Sequence, residues 1–115
     1  MRQVRQTHKT EIEAIRNTLE AIGAEVFVLH QSGRLFGSAG IPDLYIRFGH
    51  RSMAKRPFRL WWEVKVGRDR LRDAQTRFID GELADCENDA VHAGWGDLAA
   101  LIALVNPLLK QPVRM

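Results

Sequence analysis

The stretch Gly40 to Lys65 constrains this chain more than any other. It opens on Pro42-Asp43 and, nineteen residues later, reaches Glu63-Val64-Lys65. Both ends lie in apolar runs that alternate with period two. Leu44, Ile46 and Phe48 share one face of the first run, with Asp43, Tyr45 and Arg47 on the other. Leu60, Trp62, Val64 and Val66 share one face of the second, with Trp61, Glu63 and Lys65 opposite. Pro42 has no N–H to give a ladder and suits a strand entrance. Paired side by side, two such strands turn an apolar set inward and bring two carboxylates and a lysine together on the other face. Two carboxylates can hold a hard divalent cation through oxygen. A lysine beside them can steer or activate an oxygen nucleophile, so the combination suits phosphodiester hydrolysis. The plainer reading of Glu63 and Lys65 alone is a cross-strand surface pair.

The rest of the chain can be read around that pair of strands. Ile12, Ile15, Leu19 and Ile22 recur at helical spacing, which predicts a helix over 7–22 with Thr7 or Thr10 at its start and Gly23 at its end. Glu11 lies roughly 60° from the centre of that apolar stripe and Glu13 roughly 140° away. Both suit the first turn as acids at the positive end of the helix dipole, and Glu11 is the one placed to reach inward. Residues 25–31 read as a strand that His30 ends, with His30 either structural or in contact with a phosphate. Residues 31–41 carry three glycines and form a loop. Asp69 is expected to cap a helix running to about Cys86, with Gln75 on its inward stripe, where a buried amide needs a partner. A short strand is expected over 89–93, a turn at Gly94-Trp95-Gly96, and a last helix from Asp97 to about Leu104 or Val105. The core then spans about 7–105 of a single 115-residue domain, and 106–115 form a loose tail.

Charge is uneven along the chain. The net formal charge is only +3, yet Arg47 to Arg72 holds nine Lys or Arg against Glu63 and Asp69. A basic stretch around an acidic pair suits a polyanionic partner. A single cysteine, Cys86, excludes an internal disulfide framework and a cysteine zinc site, and fits a reducing cytoplasm. No apolar segment follows the charged N-terminus as a signal peptide would require, and none approaches the roughly 18 residues that span a bilayer.

The order helix, strand, Pro-Asp strand, Glu-x-Lys strand, helix, strand resembles the PD-(D/E)xK nuclease superfamily. More narrowly, GIPDL, WWEVKVGRDRL and the downstream AQTRF resemble the VRR-NUC domain over roughly residues 8–105, in its standalone phage or bacterial form. That resemblance implies an α/β restriction-endonuclease-like core, αβββαβ(α), with a central mixed sheet flanked by helices. It implies a metal-dependent DNA endonuclease using Mg2+ or Mn2+, structure-selective for branched or junction DNA, in DNA repair or phage DNA processing, and working as a homodimer in the bacterial or infected cell. Carried over by position, Asp43, Glu63, the Val64 carbonyl and a first-helix acid, Glu11 by periodicity, would hold the metal. Lys65 and Gln75 would complete the catalytic set, and His30, Arg68, Arg70 and Arg72 would contact DNA. The competing expectation is a non-catalytic nucleic-acid-binding module on the same fold.

Overall fold

A computed structural model of the chain describes residues 7–29, 40–85 and 90–111. Along the chain run α1 (His8–Glu20), β1 (Glu25–Val28), β2 (Leu44–Phe48), β3 (Phe58–Val64), α2 (Asp73–Asp85), β4 (Val91–Gly96) and α3 (Leu98–Leu109). This is the expected αβββαβ(α) order. The four strands form one sheet in the order β1-β2-β3-β4. The first three pair antiparallel. The last pair, β3 and β4, is parallel, and a parallel pair needs a crossover, which α2 supplies. The sheet is therefore mixed.

The period-two pattern decides which face is core. Leu44, Ile46, Phe48, Leu60 and Val64 are fully buried, and Trp62 nearly so. They pack with Ile15 and Leu19 of α1 and Leu101, Val105 and Leu108 of α3. Each fully buried aliphatic side chain contributes roughly 1.5–3 kcal/mol of transfer free energy. Thr7 caps α1, with reciprocal bonds between its side chain and backbone and those of Thr10. Asp97 caps α3 as expected, accepting from Ala100 N at 3.0 Å.

Three boundaries differ from expectation. The Gly94-Trp95-Gly96 segment is the end of β4 and not a turn. The reason is the Trp62 ring: a Cβ on Gly94 would lie 2.6 Å from it, so glycine makes room for a side chain within a strand. Helix α2 starts at Asp73, not after Asp69, so residues 67–72 form an irregular connection. Helix α3 continues through Pro107 to Leu109. Pro107 lies inside the helix and gives no N–H to the ladder, but Leu108 beyond it is buried against the core, which favours continuing the helix. Residues 106–109 are therefore packed helix and not loose tail.

Candidate active site

Three strand ends and two helices meet at the carboxyl end of β3. Asp43 and Glu63 are both buried, 8% and 4% exposed, although each carries a charge in water. Their registers explain the meeting. Leu44 pairs with Trp62, so Asp43 stands beside Glu63 one step further along. The backbone locks the pair: Asp43 N donates to Glu63 Oε1 at 3.1 Å, and Val64 N donates to Asp43 Oδ2 at 3.0 Å. The remaining Glu63 oxygen, Oε2, accepts from Gln75 Nε2 at 2.5 Å and lies 3.9 Å from Lys65 Nζ.

Gln75 is positioned from its own helix. It is the third residue of α2, and its Oε1 accepts from the backbone N of Arg72 at 2.8 Å. That is the return half of a capping box, satisfying a donor at the helix start. One amide thus ties the start of α2 to Glu63. Gly40 brings the two together. Its φ is +93°, and a Cβ there would lie 2.4 Å from the Ala74 carbonyl oxygen, so the chain entering Pro42-Asp43 passes against α2 only because residue 40 is glycine.

The electrostatics follow from the geometry. Burial, and then the neighbouring Asp43 carboxylate, push the Glu63 carboxyl up to about 8, with Lys65 acting in the opposite direction. Two like charges taken out of water retain a proton at neutral pH unless a cation replaces it. That donor set fits Mg2+ or Mn2+. Such ions are held by one or two carboxylates and keep several waters, and no group of three or more His, Cys, Asp or Glu among the described residues forms a metal cluster.

The remaining expected residues fall in different places. Glu11 is buried and Glu13 exposed, as the stripe predicts. Glu11 Oε2 accepts from Leu98 N at 2.5 Å, at the start of α3, where a carboxylate also meets the positive end of the helix dipole. Arg68, Arg70 and Arg72 are exposed on the connection before α2 and not on a helix. His30 lies outside the described residues. Sequence reasoning missed His8, whose Nε2 is 3.0 Å from Asp43 Oδ2. The signal was present: His8 is three residues before Glu11 and shares its helix face.

The fold is that of a VRR-NUC domain. A solved structure described as a VRR_NUC domain matches with a TM-score of 0.59 at 20% identity, covering 88% of this chain and 97% of that one. No protein-family model matches the sequence, and no curated protein matches it. No helix among the described residues is long and apolar enough to cross a membrane.

Proposed function

We propose that this VRR-NUC-like domain is a metal-dependent DNA endonuclease. The observation that carries the reading is the buried Asp43–Glu63 pair on adjacent strands, with Lys65 and Gln75 both directed to the same Glu63 oxygen. Burying two carboxylates costs several kcal/mol per ion, and a purely structural site would gain more from apolar side chains. Asp43, Glu63 and the Val64 carbonyl would hold Mg2+ or Mn2+, while Glu11, the expected first-helix acid, would act on the site through the start of α3, where it accepts from the Leu98 N–H. The bound cation would supply charge neutralisation at the phosphate and a lower pKa for water. The chain's own residues do the rest. Val64 N–H fixes one Asp43 oxygen, and Gln75 fixes Glu63, so neither carboxylate must reorganise on binding. Lys65, partly exposed, presents a positive charge where an attacking oxygen and a phosphate would meet. Arg68, Arg70 and Arg72 would hold the phosphate backbone without reading sequence.

The finer reading is a structure-selective enzyme acting on branched or junction DNA as a homodimer in the cytoplasm of a bacterial or phage-infected cell. Cutting both strands of a junction requires two such sites. The test is cleavage of plasmid, flap and four-way-junction DNA in Mg2+, Mn2+ or EDTA, beside Asp43→Asn, Glu63→Gln and Lys65→Ala. Cutting that needs metal and is lost in all three variants is the expected result. DNA binding with no cutting in any metal would instead identify a binding module. Light scattering on the eluted protein reads the oligomeric state.

A further inference from the structure

The sheet face that carries Asp43 and Glu63 carries two more rows of side chains. One step back along the strands, Phe27, Tyr45 and Trp61 are direct register partners on β1, β2 and β3. Their ring centroids are 5.9 Å apart from Phe27 to Tyr45 and 4.8 Å from Tyr45 to Trp61. Two residues further back, Glu25, Arg47 and Arg59 are partners in the next row. Each row is displaced by about 7 Å from the one before, two residues at the strand rise. The same face therefore reads, in order, carboxylates, aromatics, then two arginines with Glu25 beside them on the edge strand.

Helix α2 covers only one end of this aromatic row. Phe78 meets Trp61 edge-on at 5.4 Å, which fixes the Trp61 ring. Phe27, on the edge strand, is 44% exposed. Arg47 and Arg59 are exposed, and neither enters an ion pair among the described residues. Packing explains Trp61. It does not explain an edge aromatic left 44% exposed beside a paired aromatic and one row from two exposed guanidinium groups. Aromatic rings carried on a sheet surface stack unpaired bases, and adjacent cations hold the backbone.

We propose that Phe27, Tyr45 and Trp61 form a stacking platform for unpaired bases next to the phosphate at Asp43 and Glu63, with Arg47 and Arg59 holding the strand beyond. The inference rests on the nuclease reading and adds the substrate class: DNA with a single-stranded segment beside the cut. A fully paired duplex keeps its bases stacked on one another and cannot use the rings.

The test separates the two readings. Full-length Asp43→Asn protein, which cannot cut, is titrated in EDTA with a fluorescein-labelled dT20 oligonucleotide and with a 20-base-pair duplex, by anisotropy. The dT20 is expected to bind more tightly. Adding Phe27→Ala weakens dT20 binding at least about fivefold, the lower end of a base-stacking loss, and leaves duplex binding within about twofold. Phe27→Tyr restores dT20 binding. Photo-crosslinking of dT20 carrying 5-iodouracil is expected on Phe27 or Tyr45. Equal losses for dT20 and duplex, or no loss for either, would overturn the platform, as would a change of oligomeric state in Phe27→Ala. Failure of the wild type to cut any DNA, with Phe27-dependent dT20 binding intact, overturns the nuclease reading and leaves the platform. Metal-dependent cutting indifferent to Phe27 and to unpaired bases overturns the platform alone.

Discussion

The two faces of β2 and β3 share one backbone and could hardly differ more. On the face toward α1 and α3, Leu44, Ile46, Phe48, Leu60 and Val64 are completely buried. On the other, the same strands carry Asp43, Tyr45, Arg47, Arg59, Trp61 and Glu63. The first face stabilises the fold by removing apolar surface from water. The second opposes it, since it buries two carboxylates against one another. The comparison teaches that the core face carries the stability that lets the other face hold an unfavourable charge pair in place.

Substitutions on each face should therefore fail in different ways. The largest effect is expected from Asp43→Asn, which should lower metal-dependent cleavage at least about 10³-fold while the melting temperature in EDTA does not fall. A loss of activity that merely tracks unfolding would break the contrast. On the core face, Leu60→Ala should cost about 2–5 kcal/mol of stability, read by urea denaturation. Its cleavage per folded molecule should stay near wild type. Gly40→Ala belongs to neither face and tests their junction. A side chain against the Ala74 carbonyl at φ +93° should cost about 1–3 kcal/mol and lower kcat by displacing Gln75 from Glu63.

The acidic pair also predicts a pH dependence. Glu63 is raised to about 8 from 4.5, so between those values the folded chain holds a proton that the unfolded chain has released. Stability from this group is fully present below about pH 4.5 and is lost as pH rises through about 8. In EDTA the melting temperature should fall over that range, and Glu63→Gln should flatten the slope. Adding Mg2+ above pH 8 should restore the wild type and not Asp43→Asn. A flat wild-type profile would mean that the pair is better solvated than its burial implies. The smallest expected difference lies on α1. Glu11→Gln should impair both cleavage and stability, through the lost charge at the start of α3, by about 1 kcal/mol. Glu13→Gln, on the exposed face, should change neither measurably; the reverse order would remove Glu11 from the site.

Legibility in the sequence followed the range of the interactions involved. The period-two runs of β2 and β3, the Thr7 start of α1 and the Asp97 cap of α3 depend on residues within a turn of one another, and their patterns survive in one dimension. The inward position of Glu11 was readable for the same reason. Gly94, by contrast, looks like a turn residue until Trp62, thirty-two positions earlier, is placed over it. The start of α2 was misplaced because Asp69 is a good cap by composition, whereas Gln75 bonds the Arg72 backbone and fixes the start later. Pro107 reads as a stop until burial of Leu108 shows what continuing the helix gains.

The sequence by itself determined the αβββαβ(α) order, the apolar face of the central strands and the candidate set Asp43, Glu63, Lys65 and Gln75. Each of these is a local periodicity or a spacing along one strand or helix. Only the tertiary structure decided that one Glu63 oxygen is shared by Gln75 and Lys65, that His8 reaches Asp43, that Glu11 meets the start of α3, and that Phe27, Tyr45 and Trp61 form a row beside the acids. Those contacts join residues from separate elements through strand register and helix docking, and no spacing along the chain encodes them.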